Sequence, residues 1–197
     1  MGKKNLAEKE SIRMNIRHTT MALMVISFLI GLMPKVVVCG ETLTDQQKKV
    51  IVYGMYEDYR KEFPDVKEIS PQEAMKEIAQ GQILFVDTRK PAEMAVSMLP
   101  GAITLEAFFK DPEKFKGRRI VVYCTISYRS GKLAREMASN GLEIFNLRGG
   151  MLAWVLEGGK VYDAKGETKR INVYGGKWDY PPKGYESVQL GFFDRYF

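Results

Sequence analysis

The chain has 197 residues, 45% hydrophobic and 27% charged, with a formal net charge of +6. That balance belongs to a folded domain, excludes wholesale disorder, and at this length leaves room for one domain with additions. Two cysteines cannot supply a disulfide framework, and a lone histidine, His18, excludes histidine-rich metal sites and histidine-assisted Cys or Ser nucleophiles in the rest of the chain. No metal and no cofactor is expected.

The charge is unevenly placed. Residues 1–39 hold six basic and two acidic side chains, whereas the remainder is nearly neutral with 24 basic and 22 acidic. The body shows only local pairs such as Arg118-Arg119 and Lys169-Arg170, so no nucleic-acid partner is expected. Residues 21–33 are thirteen residues without a charge, behind Lys9, Arg13 and Arg17. A basic flank and a short apolar run read as a secretory signal, with Val38-Cys39-Gly40 placing a cut before Glu41. Thirteen residues fall short of the roughly 20 that span a bilayer. Extending the run to Cys39 gives the second reading, a membrane anchor. Either reading puts the body outside the cytoplasm or tethers it to the membrane. With the leader removed, Cys124 is the only thiol left.

Four segments are expected: the leader, 1–40; a lead-in helix, 41–65; a main domain, 66–164; and an extension, 165–197, rich in glycine, proline and aromatics. Thr44 begins the first helix, whose apolar positions Val50, Ile51, Met55, Tyr59 and Phe63 recur at helical spacing until Pro64. Ser70-Pro71-Gln72-Glu73 opens a second helix with a capping box, and Gly81 ends it. Ile83 to Val86 is a short buried strand ending at Asp87. Leu99 to Ile103 is a turn into another strand, followed by short helix and loop from Glu106 to Phe115. Ile120 to Tyr123 is a strand ending at Cys124. A helix over 130–140, a strand over 144–147 and a helix over 151–157 follow, and Ile171 to Tyr174 is one more candidate strand. Strands of four or five residues alternating with helices predict an α/β fold, a small parallel sheet with helices on both faces. Ligands of such sheets sit at the carboxyl ends of the strands, which singles out Asp87 and Cys124.

The segment Cys124-Thr125-Ile126-Ser127-Tyr128-Arg129-Ser130 joins a buried strand to a helix. Backbone N–H groups at such a junction turn inward, and the helix N-terminus and Arg129 add positive charge. Each favours thiolate over thiol, so the Cys124 pKa is expected to be lowered and the loop to cradle an anion. An ionised thiol needs no histidine to act as a nucleophile. Asp87 and Arg89 read as an ion pair supporting the loop, Glu93 as a partner of Arg89, Trp154 as core, and Ser127 and Ser130 as loop donors or a helix cap.

From about Val66 to Val161 the chain resembles the rhodanese-like family. The resemblance rests on Leu84-Phe85-Val86-Asp87-Thr88-Arg89, Glu93, Pro100-Gly101-Ala102, Val122-Tyr123-Cys124 with Arg129-Ser130-Gly131, Leu147-Arg148-Gly149-Gly150 and Ala153-Trp154, in that order. It implies a rhodanese fold and sulfurtransferase chemistry: Cys124 takes a sulfane sulfur as a persulfide from thiosulfate, polysulfide or persulfide and hands it to a thiol or cyanide. Arg129 and the loop amides would hold the anionic donor. Ser97-Met98-Leu99 departs from the family's usual Gly-His-Ile. Ser127 stands where glycine is usual, and a positive φ there would cost serine about 1 kcal/mol. Neutral Thr125, Ile126 and Tyr128 lean towards persulfide or polysulfide donors over thiosulfate. These departures also motivate a second reading, a binding module without turnover. Four residues separate Cys124 from Arg129, where the related cysteine phosphatases use five and mostly place His before Cys; here Tyr123 precedes it.

Overall fold

The computed structural model describes residues 42–191. The leader, with its signal and anchor readings, lies outside them, as do residues 192–197. Among the described residues, no helix is long and apolar enough to cross a membrane.

Helix α1 (Asp45–Arg60) starts where its capping box dictates: the Gln47 N–H donates to Thr44 Oγ1 at 3.3 Å and the Thr44 N–H to Gln47 Oε1 at 2.8 Å. Its buried face differs from the expected one. Val50 is 66% exposed, while Val52 and Tyr56 are fully buried. The reason is the hydroxyl of Tyr56, a polar handle that bonds Glu68 and Asn146 and so lets the whole ring go inside. Burial, then bonding to Glu68, drives that phenol far above its ordinary pKa. The helix also stops three residues before Phe63, which reaches the core through a turn, its N–H donating to Arg60 at 2.9 Å. Pro64 disfavours helical backbone at the residue before it.

Strand β1 (Lys67–Ile69) follows, with only Ile69 buried, too faint a pattern to read from sequence. Helix α2 (Pro71–Ala79) has the expected Ser70–Glu73 capping box. Then come β2 (Ile83–Asp87), α3 (Pro91–Val96), β3 (Ile103–Thr104), α4 (Leu105–Lys110) and a single 3-10 turn (Pro112–Phe115). Strand β4 (Arg119–Tyr123) leads through the cysteine loop into α5 (Tyr128–Ser139), which begins two residues earlier than expected, so Tyr128 and Arg129 belong to its first turn. Strand β5 (Ile144–Leu147) and helix α6 (Gly150–Leu156) complete the central layers. A hairpin, β6 (Val161–Asp163) with β7 (Gly166–Thr168), precedes a parallel pair, β8 (Arg170–Asn172) with β9 (Glu186–Val188); a 3-10 turn, Gly176–Trp178, lies between these last two strands.

The central sheet has five strands, all parallel, in the order β1-β5-β4-β2-β3. Side chains of a strand alternate between faces, and here both faces are covered. Ile83, Phe85, Val121 and Tyr123 enter one buried cluster with α6, Val52 and Ile171; Leu84, Val86 and Val122 enter the other with α5, Tyr56 and Phe63. The fold is the α/β fold expected. Trp154 is core, its ring edge-on to Phe85 at 5.2 Å. The flanking segments share that core, since Val52, Tyr56, Ile171 and Val173 are fully buried.

Candidate active site

Strand β4 is central, and its carboxyl end delivers Cys124 directly into the loop 124–127. Cys124 is 1% exposed and is the free cysteine among the described residues. It forms part of the wall of a pocket of about 260 Å³, together with Thr125 and Ile126 from the loop and Tyr128 and Arg129 from α5. Tyr59, Tyr174 and Trp178 complete its lining. Among the described residues the backbone N–H groups of Thr125, Ile126 and Ser127 find no backbone or side-chain acceptor, and the first turn of α5 leaves further N–H groups outside its own ladder. The loop therefore carries backbone donors without protein acceptors, and the cation in the pocket wall, Arg129, is paired with the Glu93 carboxylate.

Three supports hold the loop. The first is the start of α6: the Met151 N–H donates to Cys124 O at 3.0 Å and the Leu152 N–H to Thr125 O at 3.1 Å. Gly150 makes this approach feasible. A Cβ there would stand 2.5 Å from Cys124 O and 2.8 Å from Ser127 N, and its φ of 62° is one that side chains avoid. The second is Asn146 on β5, whose Nδ2 donates to Ser127 O at 3.0 Å and whose Oδ1 accepts from Ser130 Oγ at 2.7 Å. The third is the end of β2. The guanidinium of Arg89 and the carboxylate of Asp87 are paired and buried, with Nη2 to Oδ2 at 2.7 Å. Arg89 Nη2 also donates to Ser97 O at 2.6 Å, and Tyr123 OH to Asp87 Oδ2 at 2.6 Å. Burial opposes the Arg89 charge, yet Asp87 outweighs it and holds the guanidinium above its ordinary pKa. Burial, then the Asp87 charge, pushes the Tyr123 phenol well up. Asp87 and Arg89 do not line the pocket; they brace the strand end beneath it.

Two details differ from the sequence reading. Glu93 bonds Arg129, not Arg89: Arg129 Nη1 and Nη2 donate to its two oxygens at 2.7 Å each. The sheet order brings α3 beside the start of α5, which spacing along the chain cannot show. Burial raises the Glu93 pKa, but the bonds and charge of Arg129 overcome it and leave the carboxyl below its ordinary value. Burial likewise opposes the Arg129 charge, and Glu93 with Cys124 holds it above normal. Second, Ser127 sits at the N-cap position of α5 but makes no side-chain cap bond. Its φ is 62°, the only positive φ at a non-glycine among the described residues, and its buried Oγ has no partner. Ser130, by contrast, donates within the loop's support. In the sequence Gly150 stands only as a motif glycine, Tyr59 only as a helix-face residue and Tyr174 and Trp178 only as aromatics of the extension, while Asn146 carries no assigned role. A polar residue inside the apolar strand 144–147 and a Gly-Gly pair before a helix were the available signals for Asn146 and Gly150.

Fold and site together define a class: an α/β protein with a single thiol in a donor-lined loop at the carboxyl edge of a parallel sheet. The chain belongs to the rhodanese-like domain family, whose model matches residues 70–157. A protein of Allochromatium vinosum named sulfurtransferase is 34% identical over 98 residues, 47% of this chain and 92% of that protein. YtwF of Bacillus subtilis, also named for sulfurtransferase activity, is 29% identical over 113 residues, 55% of this chain and 99% of that protein. A tRNA uridine(34) hydroxylase of Ruegeria pomeroyi is 27% identical over 99 residues, 45% of this chain and 33% of that protein.

Proposed function

We propose that this protein is a sulfurtransferase that carries sulfane sulfur as a persulfide on Cys124. One observation carries the reading: Cys124 lies in the wall of a pocket, in a four-residue loop whose N–H donors and nearby Arg129 stabilise an anion. The thiolate attacks the sulfane sulfur of the donor. The donor's S–S bond breaks, the leaving group departs with the electron pair, and Cys124–S–S⁻ remains. A thiol or cyanide acceptor then attacks the outer sulfur and restores the thiolate. Thr125, Ile126, Ser127, Tyr128, Arg129 and Ser130 form the substrate loop, with Asp87 and Arg89 supporting it. Arg129 acts on the sulfur through its charge while Glu93 fixes its plane. The four-residue gap between Cys124 and Arg129 makes a cradle sized for sulfur rather than for phosphate.

A second reading, a binding module that holds sulfur without turnover, is favoured by the Glu93–Arg129 pair, which offsets the charge meant for an anionic donor. Incubation of the protein with polysulfide or thiosulfate, followed by intact mass measurement beside Cys124→Ala, separates the two. Gain of one sulfur that is absent in the variant and passes on to cyanide or a thiol supports transfer. Gain without onward passage supports the module. Neither, with the thiol still alkylatable, refutes both. We also propose export or membrane tethering through residues 1–40; recovery of the full-length protein wholly in the cytoplasmic fraction refutes it.

A further inference from the structure

The aromatic side of the Cys124 pocket is built largely by residues outside the stretch that defines the family. The family match covers residues 70–157, yet Tyr59 comes from α1, and Tyr174 and Trp178 come from the segment after β8. Tyr128 of α5 supplies the fourth ring. Trp178 Nε1 donates to Tyr59 OH at 3.1 Å, so the two flanks are tied together at the pocket. The rings pack in pairs, Tyr59 with Tyr128 at 5.0 Å and Tyr174 with Trp178 at 5.6 Å.

Charge narrows what this pocket accepts. Arg129, the cation lining it, already gives both terminal nitrogens to Glu93 and lies over the Tyr174 ring at 5.4 Å. Lys132 lies over Tyr128 at 5.3 Å, and Lys177 over Tyr59 at 5.7 Å and Trp178 at 5.6 Å. A cationic guest would meet rings already engaged by cations. A small dianion such as thiosulfate would find the loop N–H groups and the flanking lysines, but it would lose hydration against aromatic walls that it cannot cover. An anion with an apolar body escapes both penalties, since its carbon group covers the rings and its charged sulfur faces the loop.

Building on the sulfur-transfer reading, we propose that the pocket selects an organic sulfur donor, a hydropersulfide whose carbon group is aromatic or branched apolar, and that Tyr59, Tyr174 and Trp178 set this preference. The Cys124 thiolate attacks the terminal sulfur of R–S–S⁻. A new S–S bond forms at Cys124, the old one breaks, and R–S⁻ leaves with the electron pair. No oxidant is needed.

The test uses the full chain with benzyl hydropersulfide and, separately, inorganic polysulfide, reading Cys124 loading by mass against time. Burial of a benzyl group predicts a kcat/KM at least about tenfold higher for the organic donor. Trp178→Ala and Tyr174→Ala, each checked for an unchanged circular dichroism spectrum, should cut that ratio at least about fivefold. Independently of these variants, benzyl mercaptan should bind Cys124→Ser saturably in calorimetry. Loading from polysulfide with no preference for the benzyl donor overturns the selection and leaves sulfur transfer standing. Loading from neither donor overturns both. Absence of benzyl mercaptan binding overturns the aromatic pocket as the recognition element.

Discussion

Ser127 holds a backbone conformation that glycine adopts freely and serine does not, with φ 62° and ψ 21°. It is fully buried, and its hydroxyl finds no partner. What keeps it there is the surrounding fixation: Asn146 binds its carbonyl, and Gly150 packs against its amide. Both the left-handed backbone and the stranded hydroxyl cost stability, so Ser127→Gly should raise it by about 1 kcal/mol. Urea unfolding measures this directly, and a lowered midpoint would show that the hydroxyl has a bonded role. At this scale the sequence was partly legible. The loop residues, Cys124 and the cost of a serine at 127 could be anticipated, because they lie together in one strand-loop-helix segment. Asn146 and Gly150 stand out only as a polar residue in an apolar strand and a glycine before a helix; their contacts with the loop are not legible, because they cross from β5 and α6 and depend on where the sheet puts those elements.

Between elements, the clearest link is the one from α3 to α5 through Glu93 and Arg129. The parallel pairing of β2 with β4 sets the starts of α3 and α5 side by side at one edge of the sheet, close enough for a bidentate pair. The strands themselves were readable, since a short unbroken apolar run needs two covered faces. Their order was not, since runs of similar composition do not say which is central. The faint β1 and the buried face of α1 were lost for a related reason: Ile69 is a single signal, and Tyr56 goes inside only because Glu68 and Asn146 meet its hydroxyl. The pair also makes a pH prediction. The Glu93 pKa is lower in the folded protein than the ordinary 4.5, so its contribution is whole above the unfolded value and is lost as pH falls through the folded one. Glu93→Gln should therefore be less stable than the parent near neutral pH, by about 1–2 kcal/mol, and the gap should close in strong acid. Urea midpoints for both proteins across this range check the sign. A gap that persists at the acid end would assign the loss to packing instead.

At the level of the whole molecule, the buried core runs past both ends of the stretch that carries the family motifs. The stretch 66–164 carries the family motifs, but Val52, Tyr56 and Phe63 before it and Ile171 and Val173 after it are all fully buried. Tyr56 and Phe63 pack under α5, and Ile171 and Val173 join the cluster on the α6 face, so each side of the sheet is closed by a flank. Composition sets the extension apart as rich in glycine, proline and aromatics, without showing that its rings adjoin Cys124. Burial of a large apolar side chain is worth about 1.5–3 kcal/mol, and a domain's entire stability is about 5–15 kcal/mol. Removing five such side chains takes away a gross burial as large as that whole net margin and uncovers the residues they pack on. Residues 66–164 expressed alone should show no cooperative thermal transition and should bind a hydrophobic dye, whereas residues 42–191 should unfold in a single sharp step. The same loss should strip Tyr59, Tyr174 and Trp178 from the pocket, so stability and recognition fail together. A cooperative transition in the short fragment would show instead that the flanks were added to a domain already able to stand alone, and that their rings serve the site only.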